Sequence, residues 1–106
     1  MLYQLVFAPS IVDKLLEKIP PVSVGEVEEA FLQWDGYWVL DNREDHKTIP
    51  PTYWFLSETF DGRLLKIVIK PVPNTDYAYV RTAYDAYEEE IKIYEQKKSN
   101  CKNSYK

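Results

Sequence analysis

Gly62-Arg63-Leu64-Leu65-Lys66-Ile67-Val68-Ile69-Lys70 decides the fold. Side chains along a strand point alternately to opposite faces, so Leu65, Ile67 and Ile69 form a wholly apolar side, and Lys66 and Lys70 share the other. Asp61-Gly62, immediately ahead, is a hairpin signal. The run is therefore the second arm of a hairpin whose first arm is Tyr53-Trp54-Phe55-Leu56-Ser57-Glu58, rich in the aromatics that suit a pleated surface. Downstream, Pro71 and Pro73 end the strand, and Asn74-Thr75-Asp76 turns into a further one, Tyr77-Ala78-Tyr79-Val80-Arg81-Thr82.

Towards the N-terminus the period changes. Leu2–Phe7 reads as a short strand closed by Ala8-Pro9. Ile11, Val12, Leu15, Leu16 and Ile19 then repeat at helical spacing behind Ser10, an expected cap, until Pro20-Pro21 stops them. Ser23 with Glu26 is a capping box, and Val24, Val27, Ala30 and Phe31 supply the next apolar stripe. Tyr37–Leu40 reads as a strand. Asp85 with Glu88 is expected to cap a last helix through Lys98, lined by Tyr87, Ile91 and Tyr94. The order β-α-α-β-β-β-β-α predicts an α+β domain over residues 1–98, an antiparallel sheet with helices packed on one face, and a frayed tail at 99–106.

A chain of 106 residues with 45% hydrophobic content buries a core without disulfides or metal, and its length fits one domain. The lone Cys101 lies in a polar tail, which favours a reducing, cytoplasmic location. Met1-Leu2-Tyr3-Gln4 lacks the pattern of a secretion signal, and no apolar run is long enough to span a bilayer. The net charge of −4 is unevenly spread. Residues 1–42 carry two Lys/Arg against seven Asp/Glu, whereas residues 43–84 carry six against five. A basic patch is thus available in the sheet-forming half.

Four residues point to a chemistry. Lys66 and Lys70 are expected on the open face of the sheet, with Tyr79 and Arg81 beside them if Ala78, Val80 and Thr82 pack inward. Cations interleaved with rings suit single-stranded RNA, meeting phosphates and stacking on bases, although Lys and Tyr are also ordinary residues of a solvated strand. His46 sits in a polar stretch beside Arg43 and Lys47, where an imidazole serves general acid–base chemistry or is simply a surface residue. Glu58 offers a carboxylate, Arg63 a guanidinium and Tyr84 a hydroxyl near the strand ends. Three glycines, at 25, 36 and 62, form no phosphate-cradling loop, and one His with one distant Cys is no metal set. Neither a cofactor nor a metal is expected.

Asp41-Asn42-Arg43-Glu44-Asp45-His46, Trp54-Phe55-Leu56-Ser57-Glu58-Thr59, Gly62–Val68, Arg81-Thr82-Ala83-Tyr84 and Glu90-Ile91-Lys92-Ile93-Tyr94-Glu95 together resemble the BrnT-like type II toxins, over about residues 1–96. Small proteins of this look also carry the label ADP-ribosyl-(dinitrogen reductase) hydrolase. The resemblance implies a RelE-like fold, a cytoplasmic metal-independent endoribonuclease, RNA as substrate and a separately encoded antitoxin as partner. It implies Lys66 and Arg81 as transition-state stabilisers and His46 or Glu58 as proton-transfer groups; Arg43, Arg63, Lys70, Tyr79 and Tyr84 are the RNA contacts expected around them. The alternative is a non-catalytic protein-interaction module on the same fold, docking through its acidic helices and aromatic sheet. Oligomeric state is left open.

Overall fold

The computed structural model describes residues 3–41 and 51–103. The elements run β1 (Gln4–Val6), α1 (Pro9–Leu16), α2 (Val24–Leu32), β2 (Val39–Leu40), β3 (Tyr53–Glu58), β4 (Leu64–Pro71), β5 (Tyr77–Asp85) and α3 (Glu88–Asn103). This is the expected element order. The strands form one sheet in the order β1-β5-β4-β3-β2.

The sheet is mixed, not antiparallel. β2, β3, β4 and β5 pair antiparallel, but β1 pairs parallel with β5. Residues 7–76 separate β1 from its partner, so no local turn sets that pairing. The β3–β4 hairpin forms as expected. The Thr59 amide donates to the Arg63 carbonyl (2.9 Å), and Gly62 takes φ +87° at the turn, a backbone region that favours glycine. In the ladder Phe55 opposes Ile67, and Ile67 opposes Ala83, so these residues share one face. Trp54, Leu56, Lys66, Val68, Thr82 and Tyr84 belong to the other, here termed the front.

Helices pack on both faces, which corrects the one-sided expectation. Rings of Phe31 and Trp34 meet Phe55 on the back, at centroid distances of 6.4 and 4.2 Å. Leu15, Val22, Val27 and Ala30 join the same buried core. On the front, Tyr94 of α3 meets Trp54 (5.7 Å) and donates its hydroxyl to the Tyr37 carbonyl (2.8 Å). The short β2 is held by packing: Trp38 stacks on Tyr53 at 4.2 Å.

Two caps differ from expectation. Ser10 lies inside α1, whose N-cap is Ala8 with Pro9 in the first turn, where a missing N–H costs nothing. Asp85 ends β5 and does not cap α3. Instead the Tyr87 amide donates to Glu90 Oε1 (2.9 Å), the return half of a capping box. The Ser23–Glu26 box forms in full. α3 continues to Asn103, through most of the segment expected to fray. Among the described residues no helix is long and apolar enough to cross a membrane.

Candidate functional site

The front face divides into a covered half and an open half. α3 lies over the first. There Lys66, expected on open sheet, is 4% exposed. Its ammonium donates to Glu90 Oε2 at 2.7 Å and lies 4.7 Å from the Trp54 ring centroid and 5.6 Å from that of Tyr84. Tyr84 donates its hydroxyl to the same Glu90 oxygen (2.8 Å), and Lys18 approaches the Tyr84 ring at 5.5 Å. A buried ammonium is tolerated only when paired, and this pairing uses a carboxylate and two ring faces. Burial works to raise the Glu90 carboxyl. The hydrogen bonds from Lys66, the Tyr87 amide and Tyr84 outweigh it, so its pKa falls below the ordinary 4.5. Lys66 is thus withdrawn from the open face, because the Ile91 and Tyr94 stripe seats α3 over it.

Arg63 is also committed. Its Nε donates to Asp85 Oδ1 (2.5 Å), Nη1 to Glu26 Oε2 (2.9 Å) and to the Pro21 carbonyl (2.8 Å), and Nη2 to the Pro20 carbonyl (3.1 Å). The guanidinium therefore ties β4, β5 and α2 to the segment joining α1 and α2. An RNA phosphate would have to displace those bonds.

The open half carries Lys70, Tyr79 and Arg81. With Pro71, Val72 and Pro73 they line a groove of about 430 Å³. Ala78 and Val80 pack inward as expected, and Tyr79 and Arg81 are exposed. Thr82 does not follow them. The pairing shifts between Val68 and Ile69, so that Val68 opposes Thr82 and Ile69 opposes Val80. Arg81 is the extra residue of this bulge, which re-aims a side chain at a strand's edge of regularity. Lys70 opposes Tyr79 directly, and the cation and ring are cross-strand neighbours.

The expected catalytic set is not assembled here. Lys66 stands about 13 Å along β4 from Lys70, four residues at strand rise. Glu58 is exposed and opposes Leu64, roughly 15 Å along the ladder from the Arg81 bulge. Arg43 and His46 lie outside the described residues. Sequence reading missed Glu90 and Asp85 as partners of Lys66 and Arg63. The one signal was position: Asp85 closes β5 and Glu90 lies in the first turn of α3.

No family model matches this chain, and no solved structure matches it. Among curated proteins the chain is similar to the putative ABC transporter ATP-binding protein YjkB of Bacillus subtilis (strain 168), with 32% identity over 88 residues. That match takes in 77% of this chain and 32% of the relative, so the chain spans about a third of the length of the curated protein it resembles.

Proposed function

We propose that this domain binds single-stranded RNA on the open half of its front face and cleaves it as a metal-independent ribonuclease of the toxin type. The observation that carries the binding step is the grouping of Lys70, Tyr79 and Arg81 around one groove, two cations beside an exposed ring. Cations neutralise phosphates and the ring stacks on a base without reading its edge. The cleavage step rests on the resemblance to BrnT-like toxins. A ribose 2′-hydroxyl gives its proton to His46 and attacks the adjacent phosphate, and Arg81 stabilises the charge of the pentavalent phosphorane. The P–O5′ bond breaks as the leaving 5′-oxygen takes the proton back, leaving a 2′,3′-cyclic phosphate. Glu58 is too far from Arg81 along the ladder to share one phosphate with it. Lys66 acts by holding Glu90, Tyr84 and α3 in place.

The test is purified chain incubated with single-stranded RNA at low salt, with and without EDTA. Cleavage that survives EDTA, leaves a 2′,3′-cyclic phosphate and disappears in Arg81→Ala and His46→Ala supports the reading. RNA that is bound but left intact removes the enzyme and keeps the binding face. RNA neither bound nor cut removes both.

A second reading has its own observation. Lys66 and Arg63 are engaged in structural ion pairs, as a non-catalytic interaction module built on this fold would have them. ATP binding, named in the curated relative's description, finds no support in these residues: no glycine of the chain belongs to a G-x-x-x-x-G-K-[ST] run.

A further inference from the structure

A second groove, of about 580 Å³, lies between β1 and α2, away from the RNA face. Its apolar lining is Tyr3, Leu5, Phe31 and Leu32, and its polar lining includes the carboxylates of Glu28 and Asp76. Leu32 is 72% exposed and stands beside the partly buried Phe31 on the wall of the groove, so the apolar lining is open to a ligand. Neither Glu28 nor Asp76 has a cationic partner among the described residues. β1 is one of the sheet's two edge strands, β2 being the other. The Gln4 amide donates to the Asp76 carbonyl at 2.7 Å, so by alternation the Leu5 amide and carbonyl face away from β5. An edge with free backbone groups, beside an apolar trough and a helix, is the arrangement that accepts an extended peptide as an added strand.

We propose that this groove takes an extended segment of a partner protein, laid along β1, with a large apolar side chain in the trough and Lys or Arg on either side of it. Charge selects the occupant. Residues 1–42 carry two Lys/Arg against seven Asp/Glu, and two carboxylates line the groove itself. A second copy of the chain pairing through β1 would bring Glu28 and Asp76 of both copies together, like charge against like. RNA is repelled for the same reason.

The experiment titrates the ¹⁵N-labelled full chain with a short synthetic peptide alternating lysine with valine and leucine, beside its glutamate counterpart and a version N-methylated on the pairing edge. Expected are amide shifts confined to residues 3–7, 28–32 and 76, with the glutamate and N-methylated peptides silent. Leu32→Ser and Glu28→Lys, both at exposed positions, should each weaken binding about tenfold with unchanged thermal melting. Shifts elsewhere, no shifts, or equal response to the glutamate peptide would overturn the proposal. So would the same shifts appearing without peptide as the protein is concentrated, which identifies a second copy as the occupant.

Discussion

Lys66 and Lys70 occupy the same strand and the same side of it, one helical cover apart. Lys66 is sealed under α3 with a carboxylate and two rings, whereas Lys70 borders an open groove. Strand alternation assigns a side chain to a face. Whether that face meets solvent is decided by tertiary packing, here by where the apolar stripe of α3 lands. The covered lysine has become part of how the fold holds together. The open one keeps its charge available to a ligand.

The sharpest way to break this comparison is Lys66→Met. Removing the cation leaves Glu90 half-enclosed and unpaired, and breaking one side of a buried pair costs about 3 kcal/mol. For a domain of this size that is a fall of roughly 12–24 °C in Tm, readable by circular dichroism. Adding Glu90→Leu should recover most of the loss. A Lys66→Met protein that melts like the wild type would show that α3 is not anchored there. Acid should act on the same pair. The folded Glu90 pKa lies below the ordinary 4.5, so the contribution is complete above that value and is lost as pH falls through the lowered folded value. Glu26 and Asp35 are lowered as well, each with burial opposed by hydrogen bonds from a cation and a backbone amide, Glu26 being lowered first by its Ser23 amide bond. The expected result is a shallower acid limb for Glu90→Gln than for the wild type, not a flat one.

Arg63→Lys comes next. The fork that serves two carboxylates and two carbonyls has no equivalent in an ammonium, and a loss of about 2 kcal/mol is expected in chemical denaturation. Equal stability of the variant would return Arg63 to the pool of cations free for RNA.

These two cations show where sequence reading stops. The β3–β4 hairpin was legible because Asp61-Gly62 and the alternation of Leu65, Ile67 and Ile69 are local signals. The Ser23–Glu26 box was legible for the same reason. The parallel β1–β5 pair, the seat of α3 on the front face and the reach of Arg63 to Pro20 and Pro21 all join residues distant in sequence, and no period encodes them. At the site, Lys70, Tyr79 and Arg81 were grouped correctly from alternation. The bulge that turns Thr82 to the front was invisible, because one extra residue in a ladder leaves no mark on composition. Lys66 was placed on the right face and in the wrong environment, and Tyr84 reaches the same face only because the bulge shifts the alternation of β5.

On the open half the expected effects move from stability to ligand. Tyr79→Ala should weaken single-stranded RNA binding by about 1–3 kcal/mol, the worth of one stacked base, while leaving the melting curve in place. Fluorescence anisotropy with a labelled oligonucleotide reads this directly, and unchanged affinity would mean that the ring is ordinary exposed strand.

Lys70→Ala is the smallest change and the closest control for Lys66→Met, since strand and face are shared. Lys70 has no buried partner among the described residues, so its removal should alter stability by no more than about 0.5 kcal/mol. If it meets a phosphate, the slope of log affinity against log salt should fall by about one, uniformly across RNA sequences. A single-strand counterion term of this kind belongs to the charge alone, so Lys70→Arg should keep the slope. A slope that does not move in Lys70→Ala, with Tyr79→Ala still weakening RNA, would shift the phosphate contact to Arg81 and narrow the binding surface to β5.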